Sequence, residues 1–258
     1  MYRYLLLSAL LPFAAANAAG STVLMHGGWT GYGDGLGERH VTGIDVLGTR
    51  PQGGWRLGIA RGERRSSAGH AAGSRLESGW QQRWGDRLTS HSRMQWGGNS
   101  PVFPVLVLEQ TLSFRVGGAH EGRVGVSQSR HRNGVVSSAV HGEARLRGTR
   151  WETRLRHLRN WQRGVRAGTS HATRMVLLWR DAGGTGSSSL WLTAGNSLAE
   201  DDGVIGPRNG RLRSATLLRA QPVGEHWTLR AALGRSWNQA GERGYIADAL
   251  ALSAAYRW

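Results

Sequence analysis

The chain ends in Ile246-Ala-Asp-Ala-Leu-Ala-Leu-Ser-Ala-Ala-Tyr-Arg-Trp258, and the reading of this stretch decides the fold. Successive side chains of an extended strand point to opposite sides, so Ile246, Leu250, Leu252, Ala254, Tyr256 and Trp258 share one face. Ala247, Ala249, Ala251, Ser253, Ala255 and Arg257 share the other, and Asp248 alone breaks the apolar series. A large apolar face that ends in aromatic rings, backed by a small or polar one, is what a strand between lipid and a wet interior requires.

The same period of two recurs upstream. Trp227, Leu229, Ala231, Leu233 and Trp237 oppose His226, Thr228, Arg230, Gly234 and Ser236. Leu106, Leu108, Leu112 and Phe114 oppose Glu109, Thr111, Ser113 and Arg115, and Leu88, Met94 and Trp96 oppose Arg87, His91, Arg93 and Gln95. Trp55, Trp84, Trp96, Trp151, Trp179, Trp227, Trp237 and Trp258 all fall at or near segment ends. A soluble sandwich would gather its indoles in the core, whereas an indole at a membrane interface keeps its ring dry and its N–H wet.

Composition agrees with this reading and closes other routes. The 258 residues include no cysteine, which removes disulfide frameworks, cysteine zinc sites, iron–sulfur clusters and thiol nucleophiles. The 33 basic residues, every one an arginine, outnumber the 17 acidic ones and leave a net charge of +16. Such basicity suggests an anionic partner, but a secretory leader argues against nucleic acid. Met1-Tyr-Arg-Tyr4 is a charged start, Leu5 to Ala16 is apolar, and Ala16-Asn17-Ala18 is a small-residue cleavage site. Residues 1–18 are therefore expected to be a cleaved signal peptide and 19–258 an exported domain. Beyond Ala18 no apolar run reaches the roughly 18–20 residues of a membrane helix.

Alternating segments lie near 22–31, 38–48, 54–62, 74–84, 86–96, 104–116, 119–129, 134–146, 149–159, 171–181, 187–196, 210–221, 225–237 and 245–258. They predict an all-β fold, a transmembrane antiparallel up-and-down β-barrel of about 14 strands. The Gly- and Ser-rich stretches 22–48 and 119–146 alternate loosely, and losing one hairpin there would give 12 strands. Short turns at 51–53, 85–86, 117–118, 148, 183–184 and 222–224 alternate with longer connections at 63–73, 97–103, 160–170 and 197–209, which puts both termini on the periplasmic side.

Leu252, Ala254, Tyr256 and Trp258, with apolar residues at alternate positions before a terminal aromatic, resemble the signal by which outer-membrane barrels are recognised by the barrel assembly machinery. The leader, the length, Pro104-Val-Leu-Val-Leu-Glu-Gln-Thr-Leu-Ser-Phe-Arg115 and Trp227-Thr-Leu-Arg-Ala-Ala-Leu-Gly-Arg-Ser-Trp237 are similar to those of the YaiO family of outer-membrane barrels. That resemblance implies a barrel in the outer membrane of a Gram-negative envelope, in contact with its lipid and lipopolysaccharide. It implies no settled activity, cofactor or catalytic residue.

The face predicted to point inward carries Glu77, Arg83, Arg87, Arg93, Glu109, Arg115, Glu121, Arg123, Glu143, Arg145, Arg150, Glu152, Arg154, Arg156, Arg174, Arg211, Arg213, Arg219 and Arg230. Charges facing a narrow interior must be paired or hydrated. They form either a structural network that stiffens the lumen or a basic pathway for an anionic solute or polysaccharide. The leading expectation is a passive channel or export-associated pore. A lipid-facing hydrolase or acyltransferase is the second reading, with His91-Ser92, His131-Arg132-Asn133-Gly134 and His141-Gly142-Glu143 as the nearest candidates. None matches a lipase-type His-x-Ser-Asn-Gly run, so no catalytic residue is assigned. A plugged barrel with a structural or adhesive role is the third. Glu200-Asp201-Asp202 lacks a calcium-loop pattern, and Gly31-Tyr-Gly-Asp-Gly-Leu-Gly37 reads as a strand–strand loop and no phosphate cradle, so no metal or cofactor is expected.

Overall fold

The computed structural model describes residues 20–67, 69–98, 102–164, 168–197, 210–240 and 243–258. Fourteen strands follow one another in chain order. The first seven are β1 (Gly20–Tyr32), β2 (Gly37–Arg50), β3 (Gly53–Ser66), β4 (Gly69–Arg83), β5 (Leu88–Trp96), β6 (Leu106–Val116) and β7 (His120–Arg130). The rest are β8 (Val136–Arg147), β9 (Trp151–Arg163), β10 (Gly168–Arg180), β11 (Ser187–Ser197), β12 (Gly210–Val223), β13 (Trp227–Ala240) and β14 (Arg243–Arg257). Each pairs antiparallel with its sequence neighbours, and β1 pairs with β14 to close the barrel. Closure removes the sheet edges that would leave backbone N–H and C=O groups unpaired. The signal peptide and the Glu200-Asp201-Asp202 loop lie outside the described residues.

The two loosely patterned hairpins are full members of the sheet: β1–β2 is paired from Gly20↔Thr49 to Tyr32↔Gly37, and β7–β8 from His120↔Leu146 to Arg130↔Val136. This settles the strand number at fourteen. Several strands also run further than their alternation. Residues 63–66, 69–73, 160–163 and 168–170, expected in long connections, belong to β3, β4, β9 and β10. At that height, Trp161 apart, both faces carry polar or small residues, among them Glu63, Arg64, Arg65, Asn160 and Gln162. Ladder hydrogen bonding continues where no hydrophobic contrast marks it. The Gly31–Gly37 stretch is a tight hairpin, turned by left-handed backbone at Asp34 (φ 57°) and Gly35 (φ 72°).

Directly opposed residues of an antiparallel pair share a face, so the register carries each face around the barrel. One outward row runs Trp29, Leu250, Leu233, Leu217, Leu190, Leu177. Trp29, Leu250, Leu233 and Leu217 of this row are exposed, Leu233 at 63% and Leu217 at 52%, and Leu190 and Leu177 are partly so. Trp55, Trp80, Trp84, Trp151, Trp179, Trp227 and Trp258 ring the end that holds the C-terminus, and Trp29, Trp96, Trp161 and Trp237 lie on the outward face nearer the far rim. At the closure Tyr256 packs on Trp227 with centroids 4.9 Å apart, and Trp258 N–H donates to the Ser21 carbonyl at 3.2 Å. Asp248, the residue out of pattern, does face outward, and Arg235 of β13 pairs with it at 2.6 Å.

Candidate functional site

The inward wall from β1 to β10 is built from ion pairs that run from strand to strand. His26 Nδ1 lies 3.3 Å from Asp45, and Arg56 joins Asp45 (2.8 Å) to Glu77 (3.2 Å). Arg93 joins Glu77 (3.2 Å) to Glu109 (3.5 Å), and Arg156 reaches Glu109 from β9 at 4.0 Å. A second chain links Glu143 through Arg123 to Glu121, then through Arg145 to Glu152 at 2.8 Å. Arg147, Arg154 and Arg180 converge on the same Glu152, whose side chain is 0% exposed. A buried carboxylate is tolerable only when its charge and lone pairs are met, and here four guanidiniums meet one group. The wall closes further where Gly125 of β7 lets Thr111 and His141 approach across it to 3.5 Å. A Cβ at Gly125 would lie 2.6 Å from both Thr111 Oγ1 and His141 Nε2.

The opposite wall is mostly small and neutral, with Leu218 beside Ala232 its largest apolar side chain at mid-height. Ser214, Thr216, Ala232, Gly234, Ala249, Ala251, Gly28 and Thr30 share the inward face of β12, β13, β14 and β1. Arg230 rises from it with no carboxylate partner among the described residues. At its border Arg174 lies over the Trp191 ring at 5.7 Å and donates to Thr193 Oγ1 at 3.3 Å. The lumen therefore has a cationic side and a side that leaves space.

The far mouth is narrowed by Val102 and Phe103, which precede β6 and turn inward. Val102 and Phe103 are 6% and 4% exposed, and the Phe103 ring lies between Arg75 at 5.2 Å and Arg39 at 5.8 Å. Gly62 of β3 makes room, since a Cβ there would lie 2.6 Å from Phe103 Cζ. Phe103→Ala is expected to widen this mouth and raise single-channel conductance; unchanged conductance would place the narrowest point elsewhere.

The register places Glu77, Arg93, Glu109, Glu121, Arg123, Glu143, Arg145, Glu152, Arg154, Arg156, Arg174 and Arg230 on the inward face. Arg87 and Arg115 stand at the C-terminal rim, where Arg115 N–H donates to the Arg87 carbonyl at 2.9 Å. Arg211, Arg213 and Arg219, expected inside, face outward: Arg211 opposes Gln239, Arg213 opposes Trp237 and Arg219 opposes Ala231. The Leu217-Leu218 pair lets β12 alternate in either phase, and pairing with β13 selects the phase that puts Leu217 beside Leu233. Arg219 clasps Asp181 of the β10–β11 turn at 2.9 Å and also donates to Ser188 Oγ. That hydrogen bond and charge hold the Asp181 carboxyl below its ordinary range.

The candidate catalytic pairs are not assembled. His91 points inward and its neighbour Ser92 outward, where Ser92 Oγ donates to Gln110 at 2.6 Å. Asn133 Oδ1 accepts from Val135 N–H at 3.1 Å, His131 Nε2 lies 3.4 Å from Ser129 Oγ, and His141 faces Thr111. No cluster of metal-ligating side chains occurs among the described residues. The role of Asp45 was open to the period-two reading through its neighbours Ile44 and Val46. Phe103 had no such signal, because it lies in a connection.

No family model matches the chain. The fold is shared with solved barrels of very low sequence identity. A CymD monoaromatic hydrocarbon channel superposes with a TM-score of 0.70 at 6% identity, covering 94% of this chain and 89% of that one. A bacterial polysaccharide outer membrane secretin gives 0.59 at 10% identity, covering 92% and 98%. An anion-selective porin from Comamonas acidovorans gives 0.52 at 10% identity, covering 94% and 99%.

Proposed function

We propose that the protein spans the outer membrane and acts as a passive channel for anionic solutes or acidic polysaccharide, with the C-terminal rim toward the periplasm. The outward apolar band between tryptophan rings supports the membrane placement, as does the fold shared with outer-membrane barrels. The similarity of the 104–115 and 227–237 segments to YaiO-type barrels fits the same location.

The observation that carries the channel reading is the imbalance of inward charge. The inward carboxylates of the described strands are Asp45, Glu77, Glu109, Glu121, Glu143 and Glu152. Arg56, Arg75, Arg93, Arg123, Arg145, Arg147, Arg154, Arg156 and Arg180 already share them. Arg230 on the small-residue wall adds positive charge that no inward carboxylate balances. A cationic, low-dielectric passage concentrates anions and repels cations.

The test is a planar bilayer with the refolded mature chain under a KCl gradient. A reversal potential on the anion side is expected, with reduced anion preference in Arg230→Glu. A cation-selective current, or electrical silence from a folded barrel, would overturn the reading.

A further inference from the structure

The outward face has its own electrical asymmetry. Arg61, Arg65, Arg159, Arg211, Arg213 and Arg235 all point outward from the half of the barrel nearer the far rim. At the C-terminal rim the outward strand arginines are Arg50 and Arg219, and Arg219 is held by Asp181. Within the far belt Arg61 pairs with Glu63, Arg65 with Glu38 and Arg235 with Asp248. Arg211 and Arg213 pair with no carboxylate among the described residues.

Their surroundings are ordered. One outward row crosses five strands as Arg159, His171, Asn196, Arg211 and Gln239, a run of side chains able to donate hydrogen bonds. With strands about 4.8 Å apart, Arg159 and Arg211 are separated by about 14 Å. Arg213 lies one position lower, beside Trp237. Below it is a largely apolar groove of about 570 Å³ lined by Trp29, Leu190, Leu217, Leu233 and Leu250, with the mutually neutralised Arg235–Asp248 pair at its edge. Two exposed arginines, Arg211 and Arg213, above an apolar groove match an amphiphile whose phosphates sit at its head and whose acyl chains hang below.

We infer that the upper outward wall of β9–β13 is a binding site for a phosphorylated glycolipid of the outer leaflet. Arg211 and Arg213 take its phosphates, and the Leu190–Leu217–Leu233 groove takes an acyl chain. Guanidinium forks bind phosphate oxygens bidentately. A zwitterionic headgroup carries its own cation and gains less. The inference rests on the membrane placement proposed above.

The experiment uses the full mature barrel, refolded and purified in detergent, with bound lipid counted by native mass spectrometry. The probes are bisphosphorylated lipid A, its dephosphorylated form and phosphatidylcholine. Preferential retention of the bisphosphorylated form is expected, reduced about tenfold or more in Arg211→Gln/Arg213→Gln. It should be partly restored by lysine at both positions and unaffected by Arg50→Gln. Equal retention of the dephosphorylated lipid, or of the glycolipid by the double glutamine variant, would overturn the inference. So would full competition by millimolar inorganic phosphate, which would assign the arginines to a free anion. Heat-modifiable gel migration after refolding into vesicles is read in parallel. A chain that never inserts refutes the membrane placement itself, whereas a chain that inserts without lipid preference refutes this site alone.

Discussion

Replacing Glu152 with glutamine is expected to destabilise the folded barrel by about 3–5 kcal/mol, the range for stripping one partner from a buried ion cluster. The glutamine keeps the volume and one carbonyl acceptor but removes the charge. Arg145, Arg147, Arg154 and Arg180 would then converge on a neutral group, with Arg145 itself only 14% exposed. Their mutual repulsion would be relieved only by swinging out toward the C-terminal rim or by drawing in water and anions. Urea unfolding of the refolded protein in vesicles, followed by tryptophan fluorescence, measures the effect. An unchanged midpoint would mean that the cluster is hydrated through and structurally idle. Glu109 gives the contrast: it receives Arg93 and Arg156 at 3.5 and 4.0 Å and is partly exposed, so Glu109→Gln should cost much less.

The second large effect belongs to the outer surface. Leu252 is 55% exposed, faces outward between Gly27 and Ala231, and lies well inside β14. In the membrane placement proposed here, arginine there puts a charge against hydrocarbon, at a cost of up to about 2–4 kcal/mol near the bilayer midplane. Ala251→Ser, one residue away on the inward face opposite Ala232, should be tolerated. Refolding yield and unfolding midpoint in vesicles distinguish the two variants. Equal tolerance would reverse the assignment of faces. The natural outward pair Arg235–Asp248 does not contradict this cost, because each charge has the other as partner and the pair lies nearer the far rim.

These two tests separate what holds the barrel from the inside and from the outside. Inside, stability comes from charge satisfaction on the β1–β10 wall, and space comes from the small residues of β12–β14 and β1. Outside, in the membrane placement proposed here, it comes from apolar area that lipid covers. A barrel divided in this way leaves room for the proposed solute pathway beside its stabilising network, since the passage does not have to run through the paired groups.

By itself the sequence determined the fold class and the alternating segments, leaving twelve or fourteen strands open, and it marked one face of most strands as charged. Each of these rests on period-two patterning within a single strand, and residues such as Arg93, Glu109 and Arg154 stand between clearly apolar neighbours. Only the tertiary structure decided the facing of Arg211, Arg213 and Arg219. Leu212, Leu217 and Leu218 allow either phase locally, and the pairing of β12 with β13 selects one. It also decided that Glu152 is the convergence point of four arginines, that Phe103 turns into the mouth, and that Asp248 has a partner. Each of these depends on contacts between residues far apart in the chain, which strand register and barrel closure create and which no local pattern encodes.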